Sequence, residues 1–109
     1  MEELDASEGG SGAVDISFDG AGVPTIKLSG EIDMSNVDSL RRLIEPVVAR
    51  APEHVVFDLA SLTFMDSSGI ALLLQVSAKT GTVRLRGPSE LVRRMIDATG
   101  LTDVLVVDS

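Results

Sequence analysis

The hydrophobic period of this chain switches repeatedly between two and about 3.6, and the order of the switches limits the folds open to it. Val14, Ile16 and Phe18 alternate with Asp15, Ser17 and Asp19, and after "DGAGVP" Ile26 and Leu28 alternate with Thr25 and Lys27. Two period-two runs around a Gly- and Pro-containing turn predict an antiparallel hairpin. "GEIDMSN" breaks the alternation, and Val37, Leu40, Ile44, Val47 and Val48 then recur at helical spacing. This first helix is expected to begin near Ser35 as N-cap, with Asp38 three residues on. Pro46 lacks an N–H and carries a ring that clashes with the preceding turn, so it should kink or end the helix near its last turn.

"HVVFDL", residues 54–59, is β-branched and aromatic with only Asp58 interrupting it, the composition of a central strand buried on both faces. "IALLLQVSA" follows "FMDSSG" and is apolar almost all round, which predicts a helix whose apolar surface is taken up by the core or in part by a partner. In "GTVRLRG", Val83 and Leu85 face opposite to Arg84 and Arg86. Leu91, Val92, Met95 and Ile96 form a third helical stripe, with Pro88 near its start, Gly100 at its C′ position and Leu101 placed to close a Schellman contact. "VLVV", residues 104–107, ends the order ββαβαβαβ. Consecutive strands joined through helices give parallel pairs with right-handed crossovers. The expected class is a single small α/β domain, mostly a parallel sheet with an N-terminal antiparallel hairpin and helices following strands two to four.

With 109 residues the chain can build one core but not two. Its first twelve residues, "MEELDASEGGSG", hold four acidic side chains and no basic one, too polar to offset their own ordering entropy by burial. Residues 1–12 are thus expected to be a disordered acidic tail and 13–109 the domain, which keeps thirteen acidic against nine basic residues. A net charge of -8, three Phe and no Tyr or Trp argue against direct nucleic-acid binding, which needs a basic surface or stacking platforms. No cysteine and a single histidine exclude thiolate metal sites and disulfides and leave few metal ligands; no cofactor is expected. No apolar run approaches the roughly 20 residues that span a bilayer, and no signal-peptide pattern opens the chain. Without membrane insertion or disulfides, a cytoplasmic protein is expected.

Asp66-Ser67-Ser68-Gly69 lies between the central strand and a helix, at the carboxyl end of the sheet, where sites in open parallel sheets gather. Asp66 or Ser67 can cap the helix by accepting from its first amides. The same free amides and the positive helix end favour a phosphate on Ser67, and the two readings are compatible. Glu31 and Asp33 of "GEID" should lie at the carboxyl edge of strand two, after the strand has ended. Acid-base catalysis by these carboxylates is disfavoured, because no histidine is placed for a nucleophilic relay and no Gly-rich cradle with lysine is present; a serine hydrolase at Ser67 lacks its general base for the same reason. Asp58 is expected to bond neighbouring amides, His54 to sit without a role at a strand edge, and Arg84, Arg86, Arg93 and Arg94 to lie on solvated faces.

"GEID" at 30–33, "VVFDLASLTFMDSSG" at 55–69 and "LRGPSELVRRMIDATGL" at 85–101 resemble the STAS domain of bacterial anti-sigma factor antagonists. The resemblance runs through about residues 14–108, and its most specific part is Met65-Asp66-Ser67-Ser68-Gly69. It departs at Ala71, where many members carry a second glycine, and in the brief "SAKTGTV" connection. The resemblance implies that the acceptor is Ser67, with Ser68 as the alternative, and that the partners are an anti-sigma factor with serine kinase activity and a phosphatase of the PP2C type. It also implies a partner surface of Glu31, Asp33, Asp66, Ser67, Ser68, Gly69 and Ile70. Within the same family, the alternative is a STAS subunit of another assembly, such as a lipid-transport ATPase complex or a stress-signalling particle, without a phospho-switch.

Overall fold

The computed structural model describes residues 12–100 and 105–108. Its elements are β1 (Ala13–Phe18), β2 (Pro24–Ile32), α1 (Val37–Val48), β3 (His54–Met65), α2 (Ser67–Lys79), β4 (Thr82–Arg86), α3 (Glu90–Ala98) and β5 (Leu105–Asp108). They form one five-stranded sheet in the order β1-β2-β3-β4-β5, with β1 antiparallel to β2 and all other pairs parallel. From β2 onward every crossover steps the same way, so right-handed connections put the helices on one face. That face holds the core: the row Ile26, Phe57 and Leu85 and the row Val55, Val83 and Leu105 are buried.

The other face is open. Ala13, Asp15, Ser17, Lys27, His54, Ser61, Arg84, Arg86 and Val106 on it are exposed, and only Val56 is buried among its described members. The expectation that β3 is covered on both faces is therefore wrong. Its apolar run is explained by central position and one-sided burial, with Val56 supplying the extra apolar residue. Across this open face the register aligns Asp15, Lys27, Asp58, Arg86 and Asp108, one from each strand, with alternating charge. Each opposite-sign neighbour pair contributes roughly 0.2–1 kcal/mol. Arg84 adds a diagonal ion pair with Asp108 at 3.1 Å.

β3 runs to Met65, six residues past the predicted strand. Leu59, Leu62 and Met65 recur at a spacing of three, which does not fit strand alternation, yet all three are buried. The register against β2 shifts twice, between Lys27 and Ser29 and between Gly30 and Glu31, each time placing one extra residue in β3. Two bulges thus convert a spacing of three into one buried face. Ala60 N–H, at the first bulge, donates to Asp58 Oδ1 at 3.1 Å, which is the bond expected of Asp58, though within the strand and not in a loop. At the second, Gly30 takes φ +78 and its carbonyl accepts from Thr63 Oγ1 at 2.9 Å.

Several local expectations change. All five stripe residues of α1 are buried, but the N-cap is Asn36, not Ser35, and no side chain caps the first turn; Pro46 lies two residues before the helix end. In α2 the inward residues Ile70, Leu72, Leu73 and Val76 are buried and Leu74 packs against the core, so its apolar character is met within the domain. α3 buries Val92 and Ile96, whereas Leu91 is 51% exposed because a helix of nine residues presents only a narrow stripe to the sheet. Phe18 is likewise exposed, at the end of the edge strand. Gly100 takes φ +73 as expected of a C′ residue, while Leu101 lies outside the described residues. Gly12, assigned from sequence to the tail, is buried against β2; the rest of that segment, 1–11, lies outside the described residues.

Leu59→Ala should destabilise the domain by about 2–5 kcal/mol in chemical denaturation, since Leu59 is fully buried on the helix-covered face. Lys27→Glu should cost roughly 0.5–2 kcal/mol by placing three like charges side by side with Asp15 and Asp58. Added salt should shrink that second loss but not the first.

Candidate functional site

Two loops meet at the carboxyl end of β2 and β3. The first, after Ile32, is built around Asp33. Its Oδ1 accepts from Ser35 N–H at 2.9 Å and from Ser35 Oγ at 2.5 Å, and its carbonyl accepts from the amides of Asn36 and Val37. Ser35, expected to cap α1, thus donates to Asp33. Asn36 clamps the other side: Nδ2 donates to the Glu31 carbonyl at 2.8 Å and Oδ1 accepts from Asp33 N–H at 3.0 Å. A Cβ on Gly12 would stand 2.6 Å from that carbonyl and 2.7 Å from Asn36 Nδ2, so the chain enters the fold against this clamp. Glu31 itself belongs to β2 rather than following it, and is exposed.

The second loop is a single residue, Asp66, between Met65 and Ser67. Its N–H donates to the Ile32 carbonyl at 3.1 Å, tying β3 to the end of β2. Its side chain caps α2 by accepting from Ser68 N–H at 2.8 Å, and the Ser68 hydroxyl donates to the same oxygen. That hydroxyl bond is the main reason the Asp66 carboxyl is held below its usual value of 3.8; partial burial opposes it, and the amides of Ser68, Gly69 and Met34 reinforce it. A carboxyl with a lowered pKa stabilises the fold once ionised, so the cap is present at neutral pH and is lost only as pH falls through the lowered value. Because Met34 belongs to the first loop, Asp66 joins both loops and α2.

The two serines differ. Ser68 is half-buried and bonded to Asp66, whereas Ser67 is exposed at the first residue of α2, with no hydrogen bond from its hydroxyl among the described residues. Gly69 and Ile70 face inward: Ile70 is buried, and a Cβ on Gly69 would come 2.9 Å from Met65 Cβ and 3.4 Å from Ile32 Cγ2. They seat α2 on the strands and offer little surface. The accessible part of the site is therefore Glu31, Asp33, Asp66, Ser67 and Ser68, with Met34, which sequence reasoning did not single out. An apolar residue inside an otherwise polar turn was the available signal.

The single histidine does not join these side chains. His54 opens β3 and Ser67 follows its end, so about 30 Å of strand separates them. A surface cavity of about 440 Å³ lies at the opposite end of the sheet, among Phe18, Pro24, Val47, Arg50 and Pro52. Among the described residues no three His, Asp or Glu side chains group as metal ligands, and no helix is long and apolar enough to cross a membrane.

Fold and site together define a two-layer α/β domain that presents a serine at the start of α2, beside a pair of stitched loops and at the opposite end of the sheet from the cavity by Phe18. A family model for the STAS domain matches residues 19–109. The chain belongs to that family, among the bacterial anti-sigma factor antagonists. It is 33% identical over 91 residues to an anti-sigma F factor antagonist of Paenibacillus polymyxa, covering 79% of this chain and 78% of the relative. It superposes on an anti-sigma factor antagonist from Mycobacterium paratuberculosis with a TM-score of 0.74 and 34% identity, over 88% of this chain and 84% of that one. The unphosphorylated form of the anti-sigma factor antagonist SpoIIAA aligns with a TM-score of 0.72 and 27% identity, over 89% of both chains. Its phosphorylated form, from Bacillus, aligns at 0.69 and 25%, over 89% of this chain and 92% of that one.

Gly69→Ala tests how tightly α2 is seated. Alanine improves helix propensity by about 0.5–1 kcal/mol, but overpacking against Met65 and Ile32 costs about 1–3 kcal/mol, so the variant should be less stable than the parent in urea unfolding.

Proposed function

We propose that this domain is a phosphorylation-controlled antagonist: unmodified, it binds an anti-sigma factor and releases the sigma factor that the partner holds. The partner is also the kinase, transferring phosphate from ATP to the Ser67 oxygen, and a PP2C-type phosphatase hydrolyses the ester to restore the binding form. The domain itself is a binding module and not an enzyme. The observation that carries the choice of acceptor is the contrast between the free, exposed Ser67 hydroxyl and the half-buried Ser68 hydroxyl held by Asp66. Family membership supports the antagonist role, and SpoIIAA, similar over most of its length, has both a phosphorylated and an unphosphorylated form.

The switch follows from charge. A phosphate adds about -1.5 to -2 charges to a surface that already carries Glu31, Asp33 and Asp66, with no Lys or Arg between residues 28 and 40 or between 59 and 78. Against one partner carboxylate at about 6 Å, with an effective dielectric near about 20, the repulsion is about 2.8 kcal/mol per unit charge before salt screening. A loss of that size weakens binding about a hundredfold. A partner chosen to meet the unmodified acidic surface cannot meet the phosphorylated form equally well.

Ser67→Ala should remain bound to the co-encoded anti-sigma factor and take up no phosphate from ATP, as read by intact mass and by pull-down. Ser68→Ala should still be phosphorylated. Modification of Ser67→Ala but not of Ser68→Ala would move the acceptor by one residue. If neither serine is modified, and both variants instead assemble with a transport or scaffold complex, the domain is a subunit of another STAS assembly.

A further inference from the structure

Met34 is the most exposed large apolar side chain among the described residues, 81% against 58% for the next, Leu43. A single exposed hydrophobic is ordinary on a protein surface, but Met34 differs from Phe18, Leu43, Phe64, Leu91 and Val106 in how its backbone is held. Those five lie in strands and helices that need them only as members of a regular element. Met34 sits at the tip of an irregular turn that is fastened on every side. Asp33 holds Ser35, Asn36 holds Asp33 and Glu31, and the Asp66 carboxylate is close enough to the Met34 amide for that amide to lower its pKa. A turn so immobilised loses little entropy when its side chain is covered, and a thioether side chain adapts to the shape it meets.

We propose that Met34 is the apolar anchor of the partner surface, inserted into a pocket of the anti-sigma factor beside the site that holds Ser67. This inference rests on the antagonist reading above. The charges around it define the pocket: Glu31 at the end of β2 and Asp33 and Asp66 in the two loops share this edge with Met34 and Ser67, with no lysine or arginine in either loop, so the complementary surface is an apolar depression edged by basic side chains, and the carboxylate that repels the phosphate is confined to the spot opposite Ser67. A central apolar residue within a polar rim is the arrangement in which truncation costs the most affinity. The acidic rim sets the rate of encounter, and Met34 sets how long the complex lasts.

The test measures binding of the purified chain and its variants to the co-encoded anti-sigma factor, with a non-hydrolysable ATP analogue so that phosphorylation does not intervene. Met34→Ala should raise Kd about tenfold or more, chiefly through faster dissociation, while Met34→Leu should stay close to the parent. Phe18→Ala, also exposed but at the far end of the sheet, should bind as the parent does. Added salt should slow association for the parent and Met34→Ala alike and leave their ratio of dissociation rates unchanged. Each variant is first matched to the parent by thermal unfolding. If the parent binds and Met34→Ala binds equally well, the anchor assignment is wrong and the antagonist reading stands. If the parent itself binds no anti-sigma factor, both fall together.

Discussion

Burial on one side of a central strand organises the whole domain. β3 is paired on both edges, and Leu59, Leu62 and Met65 must all reach the helix-covered face even though they recur every third position. The two bulges achieve this, and they also set what happens at the strand's end. With Met65 turned inward beside Ile32, the next residue emerges at the edge of the sheet, where Asp66 can bond the Ile32 carbonyl and cap α2 at once. Ser67 is exposed as the first residue of α2, separated from the buried Met65 by the capping residue Asp66.

Asp66 carries more than a cap. One carboxylate oxygen takes both donors of Ser68, the Met34 amide reinforces its ionisation from the neighbouring loop, and its N–H reaches back to β2. The Ser68 hydroxyl is thereby committed to structure, while the Ser67 hydroxyl makes no hydrogen bond among the described residues. Two adjacent serines, chemically alike, are set in different surroundings by one hydroxyl hydrogen bond. Asn36 and Gly12 do for the first loop what Asp66 does for the second, so the surface is fixed before any partner arrives.

The open face follows a different logic. A sheet uncovered on one side must stay wet, and the alternating row from Asp15 to Asp108 keeps it polar without collecting charge of one sign. Like charges opposite one another would weaken the strand pairs. Stacking a second copy in register would set like over like across the same row, which discourages association through this face.

Element types and order were legible in the sequence because periods of two and 3.6 are local properties: β1, β2, α1, β4 and the buried residues of α1 can be read directly from spacing. The motif at Met65-Asp66-Ser67-Ser68-Gly69 was legible too, since a strand, a capping residue and a helix must follow in that order. The full length of β3 was not, because a spacing of three looks like neither period until bulges against a particular partner strand absorb the extra residues. Nor was one-sided coverage of the sheet visible, since it depends on the direction in which successive crossovers step. The separation of Ser67 from Ser68, the inward turn of Gly69 and Ile70 and the display of Met34 were likewise settled only in three dimensions. They depend on contacts between β2 and β3, and a contact between segments more than thirty residues apart leaves no mark on the hydrophobic pattern of either one.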